Sequence, residues 1–178
     1  KIAILDTGIV VDHPSFGALS EDKLTETSLT KAGVNEIWDT LNASKTTSGD
    51  MSYYNSKLPF MFNYFTMSFD VSHATAQHDH GTHVAGIAAA NKTDSNSVIG
   101  VAPDAQLVVM QVFSNNGGAG WDTIMAALED CVRLDMDSVN LSLGAAAGFT
   151  TSTDGMNEVL KQFVDTDIEV LIAAGNDT

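Results

Sequence analysis

The sequence has little cysteine and little positive charge, and each shortage excludes a class of protein. One cysteine among 178 residues cannot close an intramolecular disulfide, which excludes a disulfide-stabilised scaffold. Eight Lys and Arg stand against 23 Asp and Glu, a formal net charge of −15. This acid excess repels phosphate backbones and anionic lipid, so we expect neither nucleic acid nor a membrane surface as partner.

Long apolar runs are also missing. None approaches the roughly 20 residues needed to cross a bilayer, and no charged-then-apolar leader opens the chain, so we expect no membrane span in it. Hydrophobic residues nevertheless make up 44% of the sequence, enough to build a sizeable core in one domain or most of one. Lys1 begins directly in a strand-like run without an initiator Met. We therefore expect the chain to be part of a longer protein.

Short apolar runs alternate with segments of helical periodicity over residues 106–174. The runs are rich in β-branched residues and bounded by Gly, Asp or Asn, as is typical of buried parallel strands. We predict strands at 1–5, 106–113, 138–142 and 169–174. Apolar spacing around Ile124 and Met156 predicts a crossover helix before each of the last two strands. The fold class is α/β, a parallel sheet flanked by helices.

The segment at about 17–65 breaks this pattern. It is rich in Ser, Thr, Lys and Asn, and its aromatic residues gather between Tyr53 and Phe65. We interpret it as a surface insertion. A structureless loop of that length is improbable in a compact domain, so we predict a short helix near 34–41 and a strand near 60–65.

Asp6 follows the first predicted strand and enters a tight turn in the sequence ILDTG. An Asp at such a turn often does no more than cap it, and a catalytic carboxylate is the alternative. The Asp-Thr-Gly motif also occurs in aspartic proteases, which need two carboxylates in one site. This chain has no second copy and no all-β pattern, so that alternative requires a dimer.

His80 opens a predicted helix of small residues, HGTHVAGIAAA. A helix N-terminus disfavours the imidazolium form, so His80 would stay a neutral base unless a carboxylate such as Asp6 stabilised the cation. For His83 we expect a histidine packed within the fold. His78, His80 and His83 could instead bind a metal, but they lack zinc-motif spacing and a Cys pair, so we predict no metal site.

Two short glycine-containing segments lie at the ends of predicted strands. They are Gly118, Ala119 and Gly120, and Ser142, Leu143 and Gly144. The first lacks the last Gly of a dinucleotide fingerprint and the Lys of a P-loop, which makes a phosphate or dinucleotide site the most distant alternative. Glycines at a strand end equally allow an extended peptide to pair with the backbone.

Asn176 follows the last predicted strand in the sequence AAGN. An Asn in a loop is most often a turn former. Its side-chain NH₂ group can also donate to an oxyanion, a fixed dipole of the kind that acyl transfer needs.

In this order, the segments IAILDTGIVVDHP, HDHGTHVAGIAAA, VIGVAPDAQLVVMQV, DSVNLSLG and LIAAGN resemble the subtilisin-like serine proteases, and most closely their cell-envelope lactocepin and C5a-peptidase branch. The resemblance implies that Asp6 orients and stabilises the imidazolium, that His80 is the general base and then acid, and that Asn176 donates to the oxyanion. It also implies that the two glycine-containing segments hold the substrate peptide. The implied protein is a secreted or cell-envelope serine endopeptidase acting on peptides or proteins.

The family's nucleophilic serine lies in a Gly-Thr-Ser-Met-Ala-like motif after the Asn, and this sequence contains no such motif. Ser142 is at a strand end rather than a strand-to-helix elbow, and we do not assign it as nucleophile. We expect the nucleophile downstream of Asn176 in the parent protein, and we expect this chain alone to be inactive. In the cell-envelope branch a protease-associated domain is commonly inserted after the Asn. A non-catalytic peptide-binding module or pseudoprotease is the alternative.

The resemblance implies no cofactor for catalysis, although relatives carry structural calcium. After His13 and Pro14, many of them have an Asp ligand where this chain has Ser15. Structural calcium is therefore unsupported here.

Overall fold

A computed structural model describes residues 1–45, 52–72, 79–144 and 154–175. Its strands are β1 Ile2–Asp6, β2 Phe60–Asn63, β3 Leu107–Gln111, β4 Ser138–Leu141 and β5 Glu169–Ile172. Its α-helices are α1 Lys31–Ile37, α2 His80–Ala89, α3 Trp121–Arg133 and α4 Gly155–Lys161. The strands form one sheet in the order β2-β3-β1-β4-β5, and every neighbouring pair is parallel. The predicted parallel α/β fold is confirmed.

Side chains of the central strands alternate between the two faces of the sheet, because successive residues of a strand point in opposite directions. Leu5 and Met110 pack into the core cluster that contains α3 and α4. Ile4 and Val109 pack into a second cluster, which contains α2. Helices therefore cover both faces of the sheet and give a three-layer arrangement.

The two predicted crossover helices are present. Helix α3 leads from β3 to β4 and buries Ile124, Leu128 and Cys131 on one side. Helix α4 leads from β4 to β5, and its N-terminus is capped by Asp154, whose carboxylate accepts from the Asn157 backbone N–H. No helix within the described ranges is long and apolar enough to span a membrane.

The segment predicted as a surface insertion contributes to the interior. Trp38, Phe60 and Phe62 are buried in the cluster beneath α3, and the ring centroids of Trp38 and Phe62 lie 6.4 Å apart. The predicted helix and strand are confirmed as α1 and β2, but the expected surface location is wrong for these residues. The polar composition of the flanking loops indicated a surface segment, although all four residues of the edge strand β2 are buried.

Candidate active site

The carboxylate of Asp6, at the carboxyl end of β1, contacts the imidazole of His80, at the start of α2. His80 Nδ1 lies 2.8 Å from Asp6 Oδ1 and 3.0 Å from Oδ2. A carboxylate only accepts hydrogen bonds, so Nδ1 is the donor in this contact, and in the neutral imidazole Nε2 then carries the lone pair. The Asp6 side chain is 1% exposed and that of His80 is 52% exposed. A buried acid thus orients a histidine that remains open to a reactant.

The turn after β1 ties the strand to the first turn of α2. Thr7 N–H donates to Asp6 Oδ1 at 2.7 Å, so this oxygen is held by both the turn and the imidazole. The Thr7 hydroxyl oxygen accepts from Gly81 N–H at 3.0 Å. This bond satisfies one of the free N–H groups at the helix N-terminus and holds His80 beside Asp6.

Two glycines permit this close approach of turn and helix. Gly8 has φ +100°, and a Cβ there would lie 2.2 Å from the Val71 carbonyl oxygen. A Cβ on Gly81 would lie 2.2 Å from the carbonyl oxygen of Gly8. A larger residue at Gly81 would push α2 away from the turn after β1, and one at Gly8 would displace that turn from Val71 and Gln111.

The first glycine-containing segment forms a small hairpin after β3. Ala119 pairs with Phe113 in an isolated antiparallel bridge, and Ser114 N–H donates to Gly118 O at 2.8 Å. Gly117, in the turn, has φ +91°, a conformation that favours glycine. Gly118 is exposed and Ala119 and Gly120 are half-buried, so the segment lies at the surface and leads directly into α3.

A cavity of about 290 Å³ lies between the carboxyl ends of β4 and β5 and helices α3 and α4. Leu143 and Gly144, from the second predicted segment, line it together with Trp121, the residue after Gly120. The remaining lining is mainly apolar and includes Met156 and Leu160. None of Gly118, Ala119, Gly120 and Ser142 is among the described residues that line this cavity. The Ser142 hydroxyl oxygen accepts from Asn140 Nδ2 at 2.9 Å.

The other candidate residues predicted from the sequence do not lie in the described contact between Asp6 and His80. Asn176 and His78 lie outside the described residues. The prediction of a packed His83 is wrong, because this side chain is on the exposed side of α2. The small residues of the helix, Ala85 and Ala89, make its buried contact with the sheet instead.

The described part of the chain contains no group of three or more His, Cys, Asp or Glu side chains able to hold a metal ion. Ser15 is buried in a short 3₁₀ turn, where its N–H donates to His13 Nδ1 at 3.2 Å. Its carbonyl oxygen accepts from Asn91 N–H at 2.9 Å.

Sequence reasoning missed the roles of Thr7, Gly81 and Thr82. Besides the bond from Gly81 to Thr7, the Thr82 hydroxyl accepts from Val10 N–H at 3.0 Å. The signal was available in the sequence, since a Thr-Gly pair follows the Asp and a Gly-Thr pair follows the His. Each threonine hydroxyl joins its own segment to the backbone of the other segment.

The chain resembles known proteases along its whole length. The Subtilase family matches the whole chain, residues 1–178. A PI-type proteinase of Lactococcus lactis subsp. cremoris is 35% identical over 181 residues, which cover 98% of this chain and 9% of that proteinase. An intracellular serine protease of Paenibacillus polymyxa is 28% identical over 177 residues, covering 99% of this chain and 41% of that protein. The chain thus spans less than half the length of either relative.

A solved structure of a mutant of the protease domain of PatA has the same fold, with a TM-score of 0.62 and 20% sequence identity. The match covers 98% of this chain and 49% of that one. The full-length family match and the identity to the lactococcal proteinase lead to one conclusion. The chain belongs to the subtilase family.

Proposed function

We propose that this chain is the N-terminal portion of the peptidase domain of a serine endopeptidase, which cleaves peptide bonds through an acyl-enzyme. The contact between Asp6 and His80 carries the proposal, because it gives a histidine an oriented Nδ1–H and an Nε2 without a hydrogen bond among the described residues. A general base for acyl transfer needs these two properties. A peptide-binding module would need neither.

In the proposed reaction, His80 Nε2 removes the proton of a serine hydroxyl as the serine oxygen attacks the peptide carbonyl carbon. The imidazolium then gives this proton to the leaving amine, and the acyl-enzyme remains. A water molecule repeats the two steps and releases the acid. Asp6 stabilises the imidazolium in both halves, since its two oxygens lie 2.8 and 3.0 Å from Nδ1. Asn176 donates its amide N–H to the oxyanion.

The substrate is a peptide or protein segment in extended form. Its backbone pairs with the segments 118–120 and 142–144, which leave strand ends on the same edge of a parallel sheet. One side chain of the substrate enters the apolar cavity beside Leu143 and Trp121. Catalysis itself needs no metal ion.

The rest of the parent protein supplies the serine and covers the apolar surface around α2. A cavity of about 750 Å³ there is lined by Val10, Ile87, Val98, Ile99 and Val101, among others. Val101 is 87% exposed, although large apolar side chains seldom gather on a free surface. Because the serine is supplied by the rest of the parent protein, this chain alone is inactive.

The parent protein acts outside the cell or at the cell envelope. This location rests on the resemblance to the cell-envelope branch, and the intracellular name of the Paenibacillus relative makes a separate test necessary. Protease treatment of intact cells should remove the full-length protein from the cell surface while a cytoplasmic marker survives. Protection equal to that of the marker would contradict the location.

The decisive test of the activity is labelling of the full-length protein with a fluorophosphonate probe, followed by peptide mapping. We expect one labelled serine outside residues 1–178, hydrolysis of a generic peptide substrate, and loss of both in His80→Ala. EDTA should leave hydrolysis intact, or calcium should restore it. Activity restored by zinc alone would contradict metal-free catalysis, and labelling within 1–178 would show that the nucleophile is misplaced. Peptide binding with neither labelling nor hydrolysis would identify a pseudoprotease.

A further inference from the structure

Gln111, the last residue of β3, lies beside the catalytic pair on the neighbouring strand. Gln111 and Asp6 are directly paired in the register of β3 and β1. Two residues earlier, Val109 and Ile4 both pack toward α2. Because side chains alternate along a strand, Gln111 and Asp6 also face α2, on strands about 4.8 Å apart. The glutamine is only 2% exposed.

The Gln111 amide has one satisfied end and one unsatisfied end. Its Nε2 donates to the Phe113 carbonyl oxygen at 3.1 Å. Its Oε1 is buried and has no hydrogen-bond partner among the described residues. Rotating the amide by 180° would place Oε1 against the Phe113 carbonyl, so that carbonyl determines the orientation. A buried acceptor without a partner is destabilising, which calls for an explanation.

The unsatisfied oxygen faces the turn that follows Asp6. Oε1 lies 2.7 Å from the point where a Cβ on Gly8 would be, and the Val71 carbonyl oxygen lies 2.2 Å from the same point. The Gly8 backbone also touches Gly81, the residue after His80. The turn at Gly8 is therefore in contact with both the Gln111 amide and the N-terminus of α2.

We propose that Gln111 is a positioning residue for the Asp6–His80 pair. Its amide holds the turn at Gly8 against α2, and through that turn it maintains the orientation of the Asp6 carboxylate toward His80 Nδ1. The unsatisfied oxygen is the cost of this placement. The kinetic part of the test rests on the proposed peptidase function, and the spectroscopic part does not.

Gln106 provides a matched control at the opposite end of the same strand region. It is also buried, at 4% exposure, and its hydrogen bonds are complete. Its Oε1 accepts from Leu29 N–H at 2.7 Å, and its Nε2 donates to the carbonyl oxygens of Leu29 and Ser56, each at 2.9 Å. Replacing it by Met removes three hydrogen bonds without touching the turn at Gly8.

The kinetic test compares Gln111→Met with Gln106→Met in the full-length protein. Since small misplacements of catalytic groups are costly, we expect Gln111→Met to lower kcat by roughly tenfold or more, with KM within about twofold of wild type. Gln106→Met should lower stability and leave kcat per folded molecule unchanged. Equal kcat values for the two variants, or a change confined to KM, would overturn the proposal.

The spectroscopic test follows the low-field proton resonance of His80 Nδ1–H in protein with ¹⁵N-labelled histidine. We expect this resonance to shift or broaden in Gln111→Met and to keep its position in Gln106→Met. An unchanged resonance in both variants would overturn the positioning role. If wild-type protein hydrolyses no peptide, the proposed function fails, and this measurement still decides the role of Gln111.

Discussion

Two carboxylates of this protein are buried to nearly the same degree and differ in what surrounds them. Asp6 is 1% exposed and Asp130 is 0% exposed. Asp6 accepts one backbone N–H and contacts the imidazole of His80, which reaches the surface. Asp130 is enclosed by donors from three separate parts of the chain. The contrast shows that burial of an acid does not by itself mark a functional site.

The Asp130 carboxylate accepts four hydrogen bonds. They come from Asn42 N–H at 2.7 Å, Ala43 N–H at 3.1 Å, the Tyr64 hydroxyl at 2.8 Å and Arg133 Nη1 at 2.8 Å. These bonds join α3 to the turn at 42–45 and to the residue that follows β2. Each oxygen of Asp130 accepts two hydrogen bonds from within the fold, so this carboxylate stabilises the fold. The imidazole that contacts Asp6 instead keeps one nitrogen for chemistry.

The largest expected effect is on turnover in Asp6→Asn. We expect kcat of the full-length protein to fall by about 10⁴-fold, the scale already established for subtilisin itself rather than one obtained from this geometry. The amide NH₂ would compete with Nδ1–H and favour the wrong tautomer. Hydrogen exchange in β1 and α2 should stay near that of wild type. Turnover within tenfold of wild type in a folded variant would remove Asp6 from the mechanism.

Asp130→Ala should produce the opposite pattern. Its removal leaves the Arg133 guanidinium, the Tyr64 hydroxyl and two backbone N–H groups without their acceptor. We expect the free energy of unfolding to fall by about 3–5 kcal/mol, measured from the urea dependence of hydrogen exchange in α3 peptides. Under conditions where the variant is folded, kcat should be unchanged. A loss of turnover without loss of stability would contradict the structural role of Asp130.

Tyr64→Phe tests a single bond of the Asp130 network. Burial, followed by the neighbouring Asp130 carboxylate, raises the pKa of the Tyr64 phenol well above its usual value, so the hydroxyl remains a donor at all ordinary pH values. Because Asp130 keeps three other donors, we expect a loss of about 1–2 kcal/mol by the same exchange measurement. A loss as large as that of Asp130→Ala would show that the other three bonds contribute little.

Lys57 is a buried cation, and its titration has the smallest expected effect on the free energy of unfolding. Burial lowers the pKa of its ammonium group to about 8, and Nζ donates to the carbonyl oxygens of Pro103 and Ala105 at 2.8 and 2.6 Å. Between about pH 8 and the unfolded value, the unfolded chain binds a proton that the folded protein lacks. Stability therefore rises with pH across this window, and the cost of burying the charge is fully present below it.

The control for Lys57 is Lys57→Met, which removes this titration and leaves the others. Between pH 7 and pH 9, wild type should gain about 1 kcal/mol of stability relative to the variant. The urea midpoint of exchange at the two pH values measures the difference. A gain of the same size in both proteins would assign the effect to other groups.

Much of the sheet was predictable because its signals are local. The apolar runs around β1, β3, β4 and β5 identified four of the five strands, and the helical spacing identified α3 and α4. The strand ends were predicted less accurately than the strands themselves. The strand predicted at 169–174, for example, ends at Ile172. Strand β2 was predicted, but its place in the sheet beside β3 depends on contacts between distant segments.

For the candidate site, the residue types Asp6 and His80 could be read from the sequence, and their contact could not. It depends on Thr7 and Gly81, which bring a strand end and a helix start together across 74 positions of the chain. The hydrogen bonds of Asp130 involve partners up to 88 positions away, so no local sequence pattern predicts them. The packing of Gln111 against Gly8 is of the same kind.

If Asp6 acts through His80, the two residues behave as one unit in a double-mutant cycle on kcat. Asp6→Asn, His80→Ala and the double variant would be compared with wild type in the full-length protein. Groups that work as a unit lose their effect together, so we predict that the double variant is no slower than His80→Ala alone. Losses that multiply, with the double variant slower by the product of the two single effects, would contradict the claim.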